Sequence, residues 1–230
     1  MYDQLIIEKV ASFESFGASI AERAIKAPNK KTIKETVPFS NVTYDFSAIN
    51  GEVYWEEREL KYVFEIIADT PAELEQKKTN FSKWVMNVMG ENIYDPYDPD
   101  YHYVGTFESI DYADEDCVEK STITVTFLAY PYKIANAATN TVCAVPALST
   151  ESFVVFNDSG HRITPTIETD CEIIIEFDGK RYSASAGTFK DDVLKLKPGT
   201  NILTIQNLFA TDGTVTVSYT HLTLPTMAVV

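Results

Sequence analysis

The stretch Arg58-Glu-Leu-Lys-Tyr-Val-Phe-Glu-Ile-Ile-Ala68 shows the clearest alternation of apolar and polar side chains in the sequence. Such alternation places every second side chain on one face, as a half-buried strand requires. The apolar face carries Leu60, Tyr62, Phe64 and Ile66. We therefore predict a strand over residues 58–68 with this face toward a hydrophobic core.

A capped helix follows this strand. Thr70 and Glu73 have the spacing of a capping box, and Pro71 occupies the first helical position, where a missing N–H costs nothing. Gly90 is typical of a C-terminal cap. Between the two ends, apolar residues recur on one helical stripe, namely Leu74, Phe81, Trp84, Val85 and Val88. The pattern predicts the only long helix of the chain, over residues 70–89.

The next segment, Ile93-Tyr-Asp-Pro-Tyr-Asp-Pro-Asp-Tyr-His-Tyr-Val-Gly105, is dense in tyrosine, aspartate and proline. Its aspartates Asp95, Asp98 and Asp100 offer the oxygen ligands that calcium prefers. Prolines, however, stand where an EF-hand loop needs ligands, and its sixth position is not glycine. Asp-Pro pairs also favour Asx turns and stiff extended chain. We interpret the segment as stiff and aromatic, and we predict no metal site.

The charge balance limits the classes of partner. The 230 residues carry a formal net charge of -15, and such an acidic surface repels the phosphate backbone of nucleic acids. The small basic cluster comprises Lys26, Lys30, Lys31 and Lys34. We interpret this cluster as a solvated loop or strand edge, and we expect no sequence-specific nucleic-acid binding.

Targeting signals are not apparent in the sequence. The amino terminus lacks a basic region followed by an apolar run, so we predict no signal peptide. No apolar stretch has the length needed to span a bilayer. The three cysteines Cys117, Cys143 and Cys171 are odd in number and widely separated, which favours buried thiols in a protein made in the cytoplasm.

Turn and strand signals predict two domains in an α+β, mostly β fold. Residues 1–133 form a β domain with one helix; within it we expect a first strand over 2–10, a short helical turn over 18–27 and a tight turn at Asn50-Gly51. Residues 134–147 have the composition of a linker. Short strands over 148–219 predict an antiparallel β-sandwich. Residues 220–230 do not continue this pattern, and we interpret them as a disordered or non-native tail.

Catalytic residues are not indicated. A glycosidase could draw its paired carboxylates from Glu56, Glu57 or Asp95, although a sequence does not fix their separation. His102, His161 and Cys143 lack partners at the spacing of a catalytic or metal site, and the glycine-rich phosphate loops are absent. We therefore predict that the protein is not an enzyme and has no catalytic, cofactor-binding or metal residues.

The order of features resembles the distal tail protein (Dit) family of siphophages and their prophages. In the first domain the resemblance rests on Lys31-Thr-Ile-Lys-Glu-Thr-Val-Pro-Phe39, Tyr44-Asp-Phe-Ser47, Glu56-Glu-Arg-Glu-Leu60, Phe64, the helix with Trp84, Tyr94-Asp95 and Tyr103-Val-Gly105. In the second domain it rests on Phe156-Asn-Asp-Ser-Gly160, Thr164-Pro-Thr166 and Leu196-Lys-Pro-Gly-Thr-Asn-Ile202.

The resemblance implies a hexameric ring at the phage tail tip, in the virion. The first domain would form the ring, and a galectin-like or carbohydrate-module-like second domain would face the receptor-binding apparatus. The implied partners are the major tail tube protein, the tail-associated fibre or lysin protein and the receptor-binding protein. Exposed aromatic residues are plausible contacts, with packing inside the domain as the alternative: Tyr54, Trp55, Tyr97 and Tyr101. A carbohydrate-binding module of a phage or host-wall adhesin remains an alternative function.

Overall fold

A computed structural model describes residues 3–39, 41–47, 53–114 and 119–223. The chain divides into two compact units, Met1–Lys133 and Ile134–Leu224. The elements of the first unit are β1 Ile6–Ile7, β2 Val10–Ala11, α1 Ser12–Phe16, β3 Ala18–Ile25, β4 Lys34–Thr36, β5 Thr43–Asp45, β6 Arg58–Ile67, α2 Pro71–Met86, β7 Met89–Tyr94, β8 Tyr101–Asp114 and β9 Lys120–Ala129. The chain continues with β10 Lys133–Val145, β11 Thr150–Asn157, β12 Thr166–Thr169, β13 Ile173–Phe177, β14 Lys180–Ala184, β15 Gly187–Phe189, β16 Gly199–Asn207 and β17 Gly213–Thr223.

In the described part of the first unit, antiparallel pairing joins strands in the order β2, β1, β7, β8, β9, β6, β3. Strand β6 pairs with β9 along its whole length, from Arg58 opposite Ala129 to Ile67 opposite Lys120. Its other edge pairs with β3. The strand with the clearest alternation is thus hydrogen-bonded on both sides.

The predicted strand face and helix stripe meet in one core. Leu60, Tyr62, Phe64 and Ile66 are all 0% exposed, which confirms the predicted inward face of β6. The Phe81 ring of α2 lies 5.0 Å from the Phe64 ring. Helix α1 adds Phe16, whose ring stacks 5.0 Å from that of Trp84. Helix α2 thereby covers one face of the sheet.

The C-terminal end predicted for α2 is wrong. The helix ends at Met86 and is capped by Asn87. The Asn87 N–H donates to the Trp84 carbonyl over 3.3 Å, and the Val88 N–H donates to the Val85 carbonyl over 3.2 Å. Gly90 lies instead in β7, where the pairing register shifts between Met89 and Glu91. Its φ of 77° suits a bulge as well as a helix cap, because glycine has no Cβ to oppose either conformation.

The helical turn predicted over 18–27 is also wrong, since these residues form strand β3. Ala18 and Ile20 point into the core, and β3 pairs with β6 from Ala18 opposite Ile66 to Ile25 opposite Leu60. A bulge between Ile20 and Glu22 interrupts the alternation. This irregularity hides the strand pattern from a reading of the sequence.

Two further segments differ from the predictions, and a third cannot be compared with them. The predicted first strand is a hairpin of β1 and β2, with Glu8 in a left-handed conformation at φ 54°. The aromatic segment 93–105 is the end of β7, a turn and the start of β8 rather than one stiff stretch. The Asn50-Gly51 turn and Cys117 lie outside the described residues.

The second unit is built from two antiparallel sheets. One has the order β11, β16, β13, β14, and the other joins β15, β12, β17 and β10. One hydrophobic cluster receives side chains from both, including Ile175 and Ile205 from the first sheet and Ile167 and Val217 from the second. The mostly β, α+β fold class is confirmed.

The predicted linker and tail both contain strand. Residues 134–147 hold most of β10, whose Val145 is buried in the core of the second unit. Strand β17 runs past Tyr219 to Thr223. Its end is held by His221, which contacts the Asp158 carboxylate through Nδ1 and lies 2.6 Å from Thr139 Oγ1 through Nε2. Residues 224–230 lie outside the described part of the chain.

Cys143 and Cys171 are buried free thiols, and burial raises the pKa of the Cys143 thiol. No helix among the described residues is both long and apolar enough to cross a membrane.

Candidate functional site

Between β3 and β6 the chain makes an excursion over residues 27–57, which we call the arm. Its tip region is a two-stranded hairpin in which Lys34 pairs with Asp45 and Thr36 with Thr43. Closer to the sheet, the Lys31 N–H donates to the Tyr54 carbonyl over 2.8 Å. The described backbone of the arm therefore forms two legs running side by side.

The arm exposes its apolar side chains. Among its described residues, 27–39, 41–47 and 53–57, eight large apolar side chains are exposed, namely Ile33, Val37, Phe39, Val42, Tyr44, Phe46, Val53 and Tyr54. Phe39 has a φ of 63° and is fully exposed. No described residue of the arm belongs to a hydrophobic core cluster of the protein. A lone two-stranded hairpin is marginally stable in water, and contiguous exposed apolar surface is typical of interaction sites.

Charge is distributed unequally along the arm. Residues 26–34 contain the four lysines of the basic cluster and no acidic residue. Residues 35–57 contain no lysine or arginine and five acidic residues, Glu35, Asp45, Glu52, Glu56 and Glu57. Lys26 at the base pairs with Glu59 over 2.6 Å. The outgoing leg is thus a basic strip on a strongly acidic chain.

Arg58 holds the base of the arm. It is 1% exposed, and its Nη2 donates to the Lys26 carbonyl over 2.8 Å. The guanidinium lies 5.1 Å from the Tyr103 ring centroid, and burial lowers the pKa of the Arg58 side chain. Its Nε and Nη1 have no hydrogen-bond partner in the described structure. Both ends of the arm are therefore fixed to the sheet by one buried cation.

Asp95, the first of the three aspartates considered as calcium ligands, accepts hydrogen bonds from other side chains of the protein. Asp95 has a fully buried side chain that pairs with Arg23 Nη1 at 3.0 Å. It also accepts from the Tyr62 hydroxyl at 3.1 Å and the Tyr97 N–H at 3.0 Å. Burial, with Asp95 as the next cause, raises the pKa of Tyr62 well above its ordinary value.

The other two aspartates, Asp98 and Asp100, have different surroundings. Asp98 pairs with Lys133, whose Nζ is also 4.6 Å from the Tyr101 ring centroid, while Asp100 is exposed. In the part of the chain that the structure describes, no group of three or more His, Cys, Asp or Glu side chains is placed to hold a metal ion. The absence of a metal site stays a prediction.

The remaining candidates are dispersed. Glu56 and Glu57 lie on the returning leg of the arm. In the sequence they are distant from Asp95, which lies in the turn after β7. His102 lies on β8 with its ring 5.3 Å from that of Tyr94, and His161 follows β11 in a turn. Since Asp95 is already occupied by Arg23 and Tyr62, we find no support for a carboxylate pair that includes it.

Of the four aromatic residues predicted as contacts, Tyr54 and Tyr97 are exposed, whereas Trp55 and Tyr101 are partly buried. The roles of Arg23 and Arg58 were not predicted from the sequence. The sequence feature that could have indicated them is a single arginine in each of the paired strands β3 and β6. Their hydrogen-bond acceptors, Asp95 and the Lys26 carbonyl, lie far away in the sequence.

No protein-family model matches the sequence, and no curated protein matches it. Among solved structures, the chain is similar to SPP1 Dit (gp 19.1), described as a paradigm of the hub adsorption apparatus in phages that infect Gram-positive bacteria. The TM-score is 0.70 at 15% identity, over 96% of this chain and 99% of that one. The phage P2 baseplate in its activated, Ca-containing conformation gives a TM-score of 0.46 at 7% identity, over 95% and 98% of the two chains. The chain therefore has the fold of SPP1 Dit, as the resemblance to distal tail proteins predicts.

Proposed function

We propose that the protein is a structural hub of a phage tail tip, in which copies of the chain close into a hexameric ring. The ring would join the tail tube to the tail-associated and receptor-binding proteins. The observation that carries the proposal is the arm, which exposes eight large apolar side chains on a unit with the fold of a hub protein. The number of copies comes from the sequence resemblance.

The arm is suited to a head-to-tail contact. A ring needs a heterologous interface, in which one surface of a copy meets a different surface of the next. The arm supplies one such surface, because none of the apolar side chains described in it belongs to a hydrophobic core cluster. Its basic outgoing leg would approach a chain of net charge -15, and complementary charge favours encounter and register. A neighbouring copy is therefore the partner that the arm fits best.

Light scattering of the purified protein tests this proposal. We expect a mass of about six times the 25.8 kDa of one chain, and a monomer for Phe39→Asp, because a charge at an apolar contact disrupts the interface. The matched control is Phe156→Asp, an exposed phenylalanine on β11 of the second unit, which should leave the ring intact. A strict monomer for the unmodified chain at high concentration would overturn the intrinsic ring.

A carbohydrate-binding function has one favourable observation. A shallow groove of about 470 Å³ lies on the sheet of β12, β15 and β17, where Glu168 stands between Thr188 and Thr216 on the neighbouring strands. Carboxylate and hydroxyl groups suit sugar hydroxyls, but none of the described residues that line the groove is aromatic. A glycan array with the full chain and with Glu168→Ala decides the matter: binding lost in the variant supports a sugar site, and no binding removes it.

A further inference from the structure

Two loops of the second unit present a second apolar surface. Residues 146–149 and 208–212 are joined by a hydrogen bond of 2.9 Å from the Leu148 N–H to the Phe209 carbonyl. They carry three exposed large apolar side chains, Leu148 at 70%, Phe209 at 50% and Leu208 at 40% exposure. We call these three side chains the apolar tip.

Side-chain hydrogen bonds from one buried residue and one exposed residue hold both loops in place. Asn207 is 1% exposed, and its Nδ2 donates to the Val145 carbonyl at 3.1 Å and the Thr211 carbonyl at 2.9 Å. Its Oδ1 accepts the Phe209 N–H over 2.8 Å. Asp212 Oδ1 accepts the Ala147 N–H over 2.9 Å. The tip therefore sits on a hydrogen-bonded platform, and a surface ordered in advance loses little entropy when it binds.

The backbone at Leu148 is strained. Its φ is 50°, a left-handed conformation that is unfavourable for a residue with a Cβ. Nothing in the core requires leucine there, because the side chain points into solvent. Strain of this kind is typical of functional positions. The fold thus keeps a leucine outward although glycine or asparagine would suit the backbone better.

The charged residues of the tip loops and of the adjoining chain are all acidic. The tip loops and the adjoining chain, residues 145–152, 170–173 and 207–213, contain four acidic residues and no lysine, arginine or histidine. The acidic residues are Glu151, Asp170, Glu172 and Asp212. An acidic rim is repelled by anionic lipid. It is complementary instead to a protein surface of positive charge.

We propose that the apolar tip docks a second protein of the tail that presents an apolar pocket rimmed by lysine or arginine. This inference rests on the proposed function, because it takes the partner from the proteins that a hub would join. The few exposed apolar side chains would act as the central anchors of the contact, with the acidic residues at its rim. The arm contacts the next copy, and the tip would contact a different protein.

The test measures binding of the full chain to the purified tail-associated protein and receptor-binding protein encoded with it. We expect at least one of them to bind, and we expect Leu148→Asp and Phe209→Asp to weaken that binding at least ten-fold. The matched control is Val193→Asp, which places the same charge on an exposed turn of the same unit and should leave the dissociation constant unchanged.

A further variant separates docking from folding. Leu148→Asn suits the left-handed backbone, so it should fold at least as stably as the unmodified chain and still bind weakly. Unchanged binding in Leu148→Asp and Phe209→Asp overturns the inference, while the proposed hub function stands. Failure of both proteins to bind the unmodified chain also overturns it, and ring formation in the same sample then decides the proposed function separately.

Vesicles of phosphatidylglycerol and phosphatidylcholine in equal parts test whether the apolar tip binds a membrane instead of a protein. We expect the chain not to sediment with them. Sedimentation that is lost in Leu148→Asp would show a membrane contact at the tip and overturn the docking of a protein.

Discussion

Strand β6 and the arm belong to the same unit and are both rich in aromatic and aliphatic residues, yet they lie in opposite surroundings. Four successive inward side chains of β6 are fully buried, while every residue of the two hairpin strands of the arm is exposed. The difference shows that apolar content alone does not decide burial in this unit. The sheet holds the hydrophobic core of the unit, and in the proposed ring the arm would supply the surface for a neighbouring copy.

Replacing Phe64 by Ala should have the largest effect. Phe64 is fully buried against Phe81, so the cavity should lower the free energy of unfolding by about 3–5 kcal/mol. The same change at Phe46 of the arm should alter it by less than about 0.5 kcal/mol. Urea unfolding followed by Trp84 fluorescence in a Trp55→Phe background measures both. Equal losses at the two sites would refute the contrast.

Replacing Asp95 by Ala should have the next largest effect. The change leaves the buried Tyr62 hydroxyl and the Arg23 guanidinium without their acceptor. Because Arg23 can turn partly to water, we expect a loss of about 2–3 kcal/mol in the free energy of unfolding. The exposed Asp100→Ala is the control and should change little. A loss below about 1 kcal/mol for Asp95→Ala would mean that the cluster is not structural.

The cap of helix α2 predicts a smaller effect. Thr70 Oγ1 accepts the Glu73 N–H over 3.3 Å, and Thr70→Ala should lower the free energy of unfolding by about 1 kcal/mol. Thr79 is exposed within the helix, so Thr79→Ala should instead stabilise by up to about 0.7 kcal/mol, because alanine is the better helix former. Thermal unfolding of the two variants should show shifts of opposite sign.

The smallest effect should be confined to the arm and should appear at low pH. Hydrogen bonds from the Ser47 hydroxyl and N–H lower the pKa of Asp45 below its usual 3.8. A lowered carboxyl pKa stabilises the folded form above the unfolded value, and this contribution disappears as the pH falls through the folded value. The protection factor of the Ser47 amide, which is the exchange rate of an unfolded chain at the same pH divided by the observed rate, should therefore fall in acid, while the protection factors of the β6 amides stay high. Hydrogen exchange measured by NMR, with Asp45→Asn as the control, tests this.

The elements with regular spacing could be predicted from the sequence. The alternation from Leu60 to Ile66 and the capping box at Thr70 depend on neighbouring residues, and the structure reproduces both. The irregular elements could not be predicted. A bulge disguises β3, and Gly90 serves a bulge instead of the helix cap because both features favour a positive φ.

The candidate site was harder to predict because exposure is a property of the whole fold. The residues of β4 and β5 have the composition of strands, and only the absence of a partner layer leaves them in solvent. Arg58 shows the same difficulty in reverse. It begins a strand where a charged residue is expected at the surface, but the arm and Tyr103 enclose it.

The base of the arm has a consequence for how this protein can change over time. Its two ends meet side by side, with the Glu56 N–H donating to the Asn29 carbonyl over 2.9 Å and Arg58 bound to the Lys26 carbonyl. An insertion whose ends meet in this way can be lengthened, shortened or exchanged while the flanking strands keep their pairing. The arm can therefore change in length and sequence between lineages, while the sheet from which it extends keeps its sequence.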